Sequence, residues 1–174
     1  MIGMRRKIGM LFQGSALFDS LTVFENIVYP LREHFSYSDH QLSEFVAAKL
    51  EMVGLPGLED KYPGELSGGM KKRVGLARAI ATDPSVILYD EPTTGLDPAN
   101  TRRINSLIIK LQEQLKVTSV VVTHDMESAF EVTDRIALLS NKCFAFVGTK
   151  EEANDTKDQV VQKFIKGEME TRDG

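Results

Sequence analysis

Two carboxylates stand side by side in Tyr89-Asp90-Glu91-Pro92, directly after the apolar run Val86 to Tyr89. At the C-terminal end of a buried parallel strand, where ligands of α/β sheets gather, such a pair has two distinct uses. One carboxylate can hold a hydrated Mg²⁺ that neutralises nucleotide phosphates. Its neighbour can orient or deprotonate an attacking water. Taken alone, the four residues fit a pair of exposed loop acids equally well.

Four further places have the residue types to join that chemistry. In Leu66-Ser67-Gly68-Gly69-Met70, Ser67 is placed to cap a helix, and Gly68 and Gly69 allow a ligand to approach the backbone. A helix N-terminus of that kind offers free N–H groups and a positive dipole end to a phosphate, although capped helices after glycine loops are common. His124, in Val122-Thr123-His124-Asp125, follows an apolar segment and could reach a phosphate or a water from a strand end. Asp97, in Gly95-Leu96-Asp97-Pro98, opens a helix with proline at its first position. Gln13 ends the first apolar stretch, Ile8 to Phe12.

These residues need elements to hold them. Ile8 to Phe12 predicts a strand. Thr22-Val23-Phe24-Glu25 predicts a capping box opening a helix that runs to about Tyr29. Leu42, Phe45, Val46, Leu50 and Val53 recur at helical spacing, stopped by Gly54 and Pro56. Residues 14–66 therefore read as a mainly helical insert, followed by a helix over Ser67 to Ala81. Val86 to Tyr89 predicts a fully buried strand. The stripe Ile104, Leu107, Ile108, Leu111 and Leu115 marks the helix after Asp97. Val120 to Val122 predicts a second buried strand, and Met126 to Val132 a short helix. Ile136 to Leu139 and Cys143 to Val147 predict a hairpin turning at Ser140-Asn141. One C-terminal helix, Lys157 to Ile165, precedes a charged tail expected to fray. Alternating strands and helices predict an α/β domain with a largely parallel sheet.

The chain has 174 residues, 42% hydrophobic, enough for one domain with a buried core. Its formal charge of -4 argues against a nucleic-acid partner. A single cysteine, Cys143, excludes an internal disulfide and fits a reducing compartment. Val117 to Val122 is far too short to span a membrane, and no long apolar stretch follows Arg5, Arg6 and Lys7, so no signal peptide is expected. Any membrane role then depends on a partner.

Order and spacing bring the separate signals together. Ser67 lies 23 residues before Asp90, and His124 lies 34 after it. Gln13, the Ser67 motif, Asp90-Glu91, Asp97 and His124 occur in the sequence used by ABC ATPases, and the whole chain resembles an ABC nucleotide-binding domain. The resemblance implies an α/β fold with a parallel-sheet, RecA-like core and a helical subdomain, and ATP and Mg²⁺ as cofactors. It implies that Gln13 is the Q-loop glutamine, touching Mg²⁺ and relaying to the membrane subunit. Ser67, Gly68, Gly69 and Met70 become the signature motif, pressing on the γ-phosphate bound by a second subunit. Asp90 becomes the Mg²⁺ ligand and Glu91 the residue that activates or positions water. Asp97 becomes the D-loop aspartate at the dimer interface, and His124 the switch histidine. Residues 14–66 then form the helical subdomain that meets the transmembrane permease, 67–148 the signature helix and Walker B core, and 149–174 the C-terminal helix and tail.

Phe12-Gln13-Gly14-Ser15-Ala16-Leu17-Phe18, Tyr29-Pro30-Leu31-Arg32-Glu33-His34 and the signature ending in Met70 are similar to one branch, the MlaF-like ATPases of MCE-type lipid transporters. That branch implies phospholipid transport between bacterial membranes, an MCE-type lipid-binding partner, a homodimer of ATPase subunits, no nucleic acid, and a cytoplasmic place on the inner membrane through the permease. Amino-acid importers share much of the insert's style. The pattern G-x-x-x-x-G-K-S/T, whose N–H groups and lysine cradle phosphates, does not occur in the sequence. The resemblance places this phosphate loop upstream of Gln13, and implies that the loop and the N-terminal β-subdomain bearing the adenine-stacking aromatic residue are both missing here. The chain by itself is accordingly expected not to hydrolyse ATP, and to expose sheet edges and core. It could then act as a non-catalytic partner that supplies only a signature face. ATPases of DNA maintenance share these motifs, but they carry long coiled coils where this chain has a short insert.

Overall fold

The computed structural model describes residues 6–166. The chain divides between His124 and Asp125 into two compact units. In the first, three strands form a parallel sheet in the order β1-β2-β3: β1 is Ile8–Leu11, β2 Val86–Asp90 and β3 Thr118–Val122. Parallel neighbours need crossover connections. Helices α1 (Val23–His34), α2 (Asp39–Met52) and α3 (Gly68–Ala79) lie between β1 and β2, and α4 (Pro98–Leu115) between β2 and β3. The expected α/β class and parallel sheet are therefore present.

Local sequence accounts for most helix ends. Thr22 and Glu25 form the expected capping box, the Thr22 hydroxyl accepting from the Glu25 N–H at 3.2 Å while the Thr22 N–H donates to Glu25 Oε2 at 2.8 Å. The helix it opens continues past Tyr29 to His34 with Pro30 inside it, because Val23, Ile27, Val28 and Leu31 form a buried stripe that holds the helix through the proline. Helix α2 ends where Gly54, at φ +67°, closes back on the helix through the Leu55 N–H to the Leu50 carbonyl. Lys49 on α2 is buried and pairs with Asp83, in the turn after α3, at 2.5 Å.

The sheet buries one face. Leu11, Ile87 and Tyr89 are enclosed, and α3 packs closely against β1. Gly9 permits that approach: a Cβ there would stand 2.2 Å from the Ala79 carbonyl oxygen. The opposite face carries Ile8, Met10, Leu88, Asp90, Val120 and Val122 in register. The strand over Val120 to Val122 was expected to be buried on both faces, yet Val120 is 48% and Val122 61% exposed. Continuous apolar composition signals that both faces can be covered; among the described residues only one is.

The second unit contains α5 (Met126–Val132), an antiparallel pair β4 (Arg135–Ser140) and β5 (Cys143–Thr149), then α6 (Lys150–Asp155) and α7 (Gln159–Ile165). Ser140 pairs with Cys143 across Asn141 and Lys142, at φ 50° and 64°, the geometry of a two-residue hairpin turn. The C-terminal helix expected over Lys157 to Ile165 is present as Gln159–Ile165, and a further short helix, Lys150–Asp155, precedes it unanticipated. Thr149 with Glu152 caps the earlier helix, and Asp158 caps the later one, so each has its own local start signal. The tail expected to fray lies outside the described residues.

Candidate functional site

Parallel register decides which loops meet. Leu11 pairs with Tyr89 and Tyr89 with Val121, so Gln13, Glu91 and Thr123 each stand two residues beyond one row, at the C-terminal edge of the sheet. Asp90 closes β2 opposite Val122, on the same face as Leu88. His124 follows at once. Four of the residues singled out by sequence, Gln13, Asp90, Glu91 and His124, therefore gather at one edge.

Glu91 has an uncommon backbone, φ +45°, in the left-handed region that side chains other than glycine avoid. Its N–H donates to the Val122 carbonyl at 2.9 Å. The turn directs its carboxylate into a set of donors. Oε1 accepts from the His124 N–H at 3.2 Å and lies 2.9 Å from His124 Nδ1. Oε2 accepts from Thr94 Oγ1 at 2.8 Å and from Thr123 Oγ1 at 3.4 Å. Four donors face two oxygens, about as many as a carboxylate has lone-pair positions. Burial pushes the Glu91 carboxyl up, but the bonds from His124 and Thr94 outweigh it and hold it below the usual range. Glu91 is thus ionised at neutral pH and suited to orienting a water more than to taking its proton outright.

Behind this turn, the Lys72 ammonium on α3 donates to the Glu91 carbonyl at 3.0 Å and to the Gln13 carbonyl. Lys72 is 5% exposed. Burial lowers its pKa against the upward pull of Glu91 and Asp90. The loop after Gln13 is held by further side chains. Arg78 donates to the carbonyls of Ser15 and Ala16 at 2.6 and 2.7 Å. Buried Asn26 accepts from the Phe18 N–H at 2.8 Å and donates to the carbonyls of Phe18, Leu21 and Thr22.

The remaining residues form a second group. Ser67 caps α3, its hydroxyl accepting from the Met70 N–H at 3.3 Å, and Gly68 and Gly69 supply the first helical N–H groups. Asp97 caps α4 through the N–H groups of Ala99 and Asn100, at 2.9 and 3.0 Å. The main-chain and side-chain bonds from Asn100 hold the Asp97 carboxyl below its usual range. Asn100 joins the two helix starts: its Nδ2 donates to Asp97 Oδ2 at 2.5 Å, and its Oδ1 would be 2.9 Å from a Cβ on Gly69. Within α3, Lys72 links this group to Glu91.

Sequence reasoning missed Lys72, Thr94 and Asn100 and gave Thr123 no part. Only Lys72 left a signal: it falls on the buried face of α3 with Gly69, Leu76 and Ala79, where an uncompensated cation is out of place.

A protein-family model described as ABC transporter matches residues 2–94. The chain belongs to the ABC transporter family. It is 43% identical over 166 residues to the intermembrane phospholipid transport system ATP-binding protein MlaF of Haemophilus influenzae, an alignment covering 95% of this chain and 63% of that protein. It is 42% identical over 163 residues to the probable ribonucleotide transport ATP-binding protein mkl of Mycobacterium leprae, covering 94% of this chain and 47% of that one. A solved dimeric structure of a post-hydrolysis state of the ATP-binding cassette MJ0796, bound to ADP and Pi, superposes with a TM-score of 0.74 at 36% identity, over 83% of this chain and 64% of the other. This member of the ABC transporter family thus spans less than two thirds of the length of these relatives. Among its described residues no helix is long and apolar enough to cross a membrane.

Proposed function

We propose that the chain forms the signature and Walker B part of an ATP-hydrolysing ABC transporter subunit, and that the transported substrate is a phospholipid. The observation that carries the reading is Glu91: an ionised carboxylate at the C-terminal edge of a parallel sheet, in a left-handed turn, bonded to His124. That placement suits a group that orients a water for in-line attack on a phosphoryl group. His124 Nδ1 lies on Glu91 at the same sheet edge, where its imidazole would meet a phosphate oxygen.

Asp90 and Gln13 offer hard oxygen donors at the same edge, the chemistry Mg²⁺ prefers. No described cluster of three or more His, Cys, Asp or Glu could hold a metal. This accords with an ion that takes most of its ligands from phosphates and water. Asp90 and Gln13 would hold Mg²⁺, which when bound neutralises the phosphate charge of ATP. Ser67, Gly68 and Gly69 present a capped helix start that would meet the γ-phosphate held by a second copy of the subunit. Asp97, tied to that start through Asn100, would lie at the same interface.

Residues 14–66 would be the helical subdomain facing the permease, 67–148 the core and 149–174 the C-terminal segment. An apolar cavity of about 430 Å³ in the first unit, lined by Phe12, Phe18, Tyr29, Pro30 and Arg78 among others, supports a permease contact beside the Gln13 loop. The subunit would then sit at the cytoplasmic face of the inner membrane, with an MCE-type lipid-binding protein as a further partner. Likeness to a phospholipid transport protein supports the substrate class.

The test is Glu91→Gln in the full-length subunit assembled with its permease. ATP binding is expected to persist while turnover falls by about 10²-fold or more. Undiminished hydrolysis would remove Glu91 from its role. Reconstituted in proteoliposomes, the wild-type complex is expected to move labelled phospholipid in an ATP-dependent way. Uptake of a ribonucleotide in place of lipid would overturn the substrate assignment.

A further inference from the structure

Lys72 is an expensive residue for its position. Its stem runs along the buried face of α3, and its ammonium ends away from water. A leucine or methionine could fill that volume without the desolvation penalty of a charge. What the ammonium contacts gives the reason. It donates to two main-chain carbonyls from two separate strand ends: Gln13, beyond β1, and Glu91, beyond β2. A neutral aliphatic side chain would leave both carbonyls without this donor.

The Glu91 carbonyl belongs to the one peptide whose conformation sets the site. Because φ of Glu91 is +45°, its side chain turns toward Thr94, Thr123 and His124. A left-handed, non-glycine residue persists only where its surroundings over-determine it. Here three groups grip the backbone: the Val122 carbonyl on the N–H, and Lys72 and the Thr94 N–H, at 3.0 and 3.4 Å, on the C=O. Only Lys72 also grips another loop. The acidic charges of Asp90 and Glu91 favour the ammonium in this position, opposing its burial.

We propose that Lys72 is a positioning residue: one buried ammonium locks the Glu91 turn and makes it depend on where the Gln13 loop stands. A displacement of that loop would move or release the ammonium and so loosen Glu91 from its donors. Lys72 touches neither substrate nor the reacting atoms. It acts through Glu91, and the inference rests on the reading of Glu91 as the group that orients the water.

The experiment compares wild type, Lys72→Met and Lys72→Arg in the full-length protein. Hydrogen exchange reads the lock directly. In Lys72→Met the amides of Glu91 and His124, which bond to Val122 and to the Glu91 carboxylate, are expected to exchange at least about tenfold faster, with α1 and α2 unchanged. In the assembled transporter, Lys72→Met is expected to lower kcat by about tenfold or more while nucleotide Kd stays within about twofold. Lys72→Arg, which keeps charge and donors, is expected to restore most of both. Wild-type exchange at Glu91 and His124 in Lys72→Met overturns the proposal. So does a wild-type kcat, or a loss of kcat matched by an equal loss of nucleotide affinity, since either leaves Lys72 as ordinary packing. If Lys72→Met does not fold, Lys72→Gln, with a donor but no charge, is measured against the same outcomes. Absence of ATP turnover in the wild type would sink the proposed function, and the exchange measurement would still decide the role of Lys72.

Discussion

Glu91 Oε1 and His124 Nδ1 are 2.9 Å apart, and this pair fixes the protonation pattern of the site. The Glu91 carboxyl is held below its usual range and carries no proton at neutral pH, so the hydrogen between the two atoms belongs to the imidazole. His124 is therefore protonated on Nδ1. The ring is largely exposed, at 74%, whereas the carboxylate is 18% exposed, so the buried partner orients the exposed one.

His124→Ala removes the largest of the influences that lower the Glu91 pKa. The Glu91 carboxyl is expected to titrate at higher pH in this variant, measured by carboxyl ¹³C chemical shift. An unmoved titration would show that Thr94 and the backbone suffice to hold the charge.

Acid stability follows from the same shift. A carboxyl whose pKa is depressed by folding stabilises the native state above its unfolded value and loses that contribution as pH falls through the folded value. The wild type is therefore expected to lose more stability than Glu91→Gln between about pH 6 and about pH 3. Urea midpoints at the two pH values measure this; parallel losses in the two proteins would contradict it.

Gly69 separates the geometry of the two helix starts from stability. Alanine gains roughly 1 kcal/mol over glycine in a helix. Its Cβ, however, would lie 2.9 Å from Asn100 Oδ1, so Asn100 must turn away and give up its bond to Asp97. Thermal stability of Gly69→Ala is expected to stay within about 1 kcal/mol of wild type. ATP-dependent association of two subunits is expected to weaken by about tenfold or more. Sedimentation with and without ATP provides the comparison, and unchanged association would detach Asn100 from the interface.

Asn26 holds the loop that follows Gln13. Its side chain is fully buried and serves one donor and three acceptors of the 18–22 backbone. Asn26→Ala strands those groups and is expected to cost about 3 kcal/mol by chemical denaturation. Hydrogen exchange should rise first at the Phe18 amide. A cost near zero would mean that water replaces the amide and that the loop is held elsewhere.

The amino-acid sequence by itself determined the local and ordered features. The Thr22–Glu25 capping box and the stripe of α4 are legible because their interactions lie within a few residues, and the hairpin turn is legible to within one residue, expected at Ser140-Asn141 and formed at Asn141-Lys142. Gln13, Ser67, Asp90, Glu91, Asp97 and His124 are legible because a motif fixes residue type and spacing together. Tertiary structure decided what depends on distant chain segments. That α1 continues through Pro30 is settled by its buried stripe, and that β3 is covered on one face only is settled by its neighbours. The Glu91–His124 bond spans 33 residues, and Lys72 reaches Gln13 across 59. No local pattern encodes such distances. They follow from parallel register, which brings the ends of three strands to one edge, and from the buried face of α3, which carries a single cation to the place where two of those ends meet.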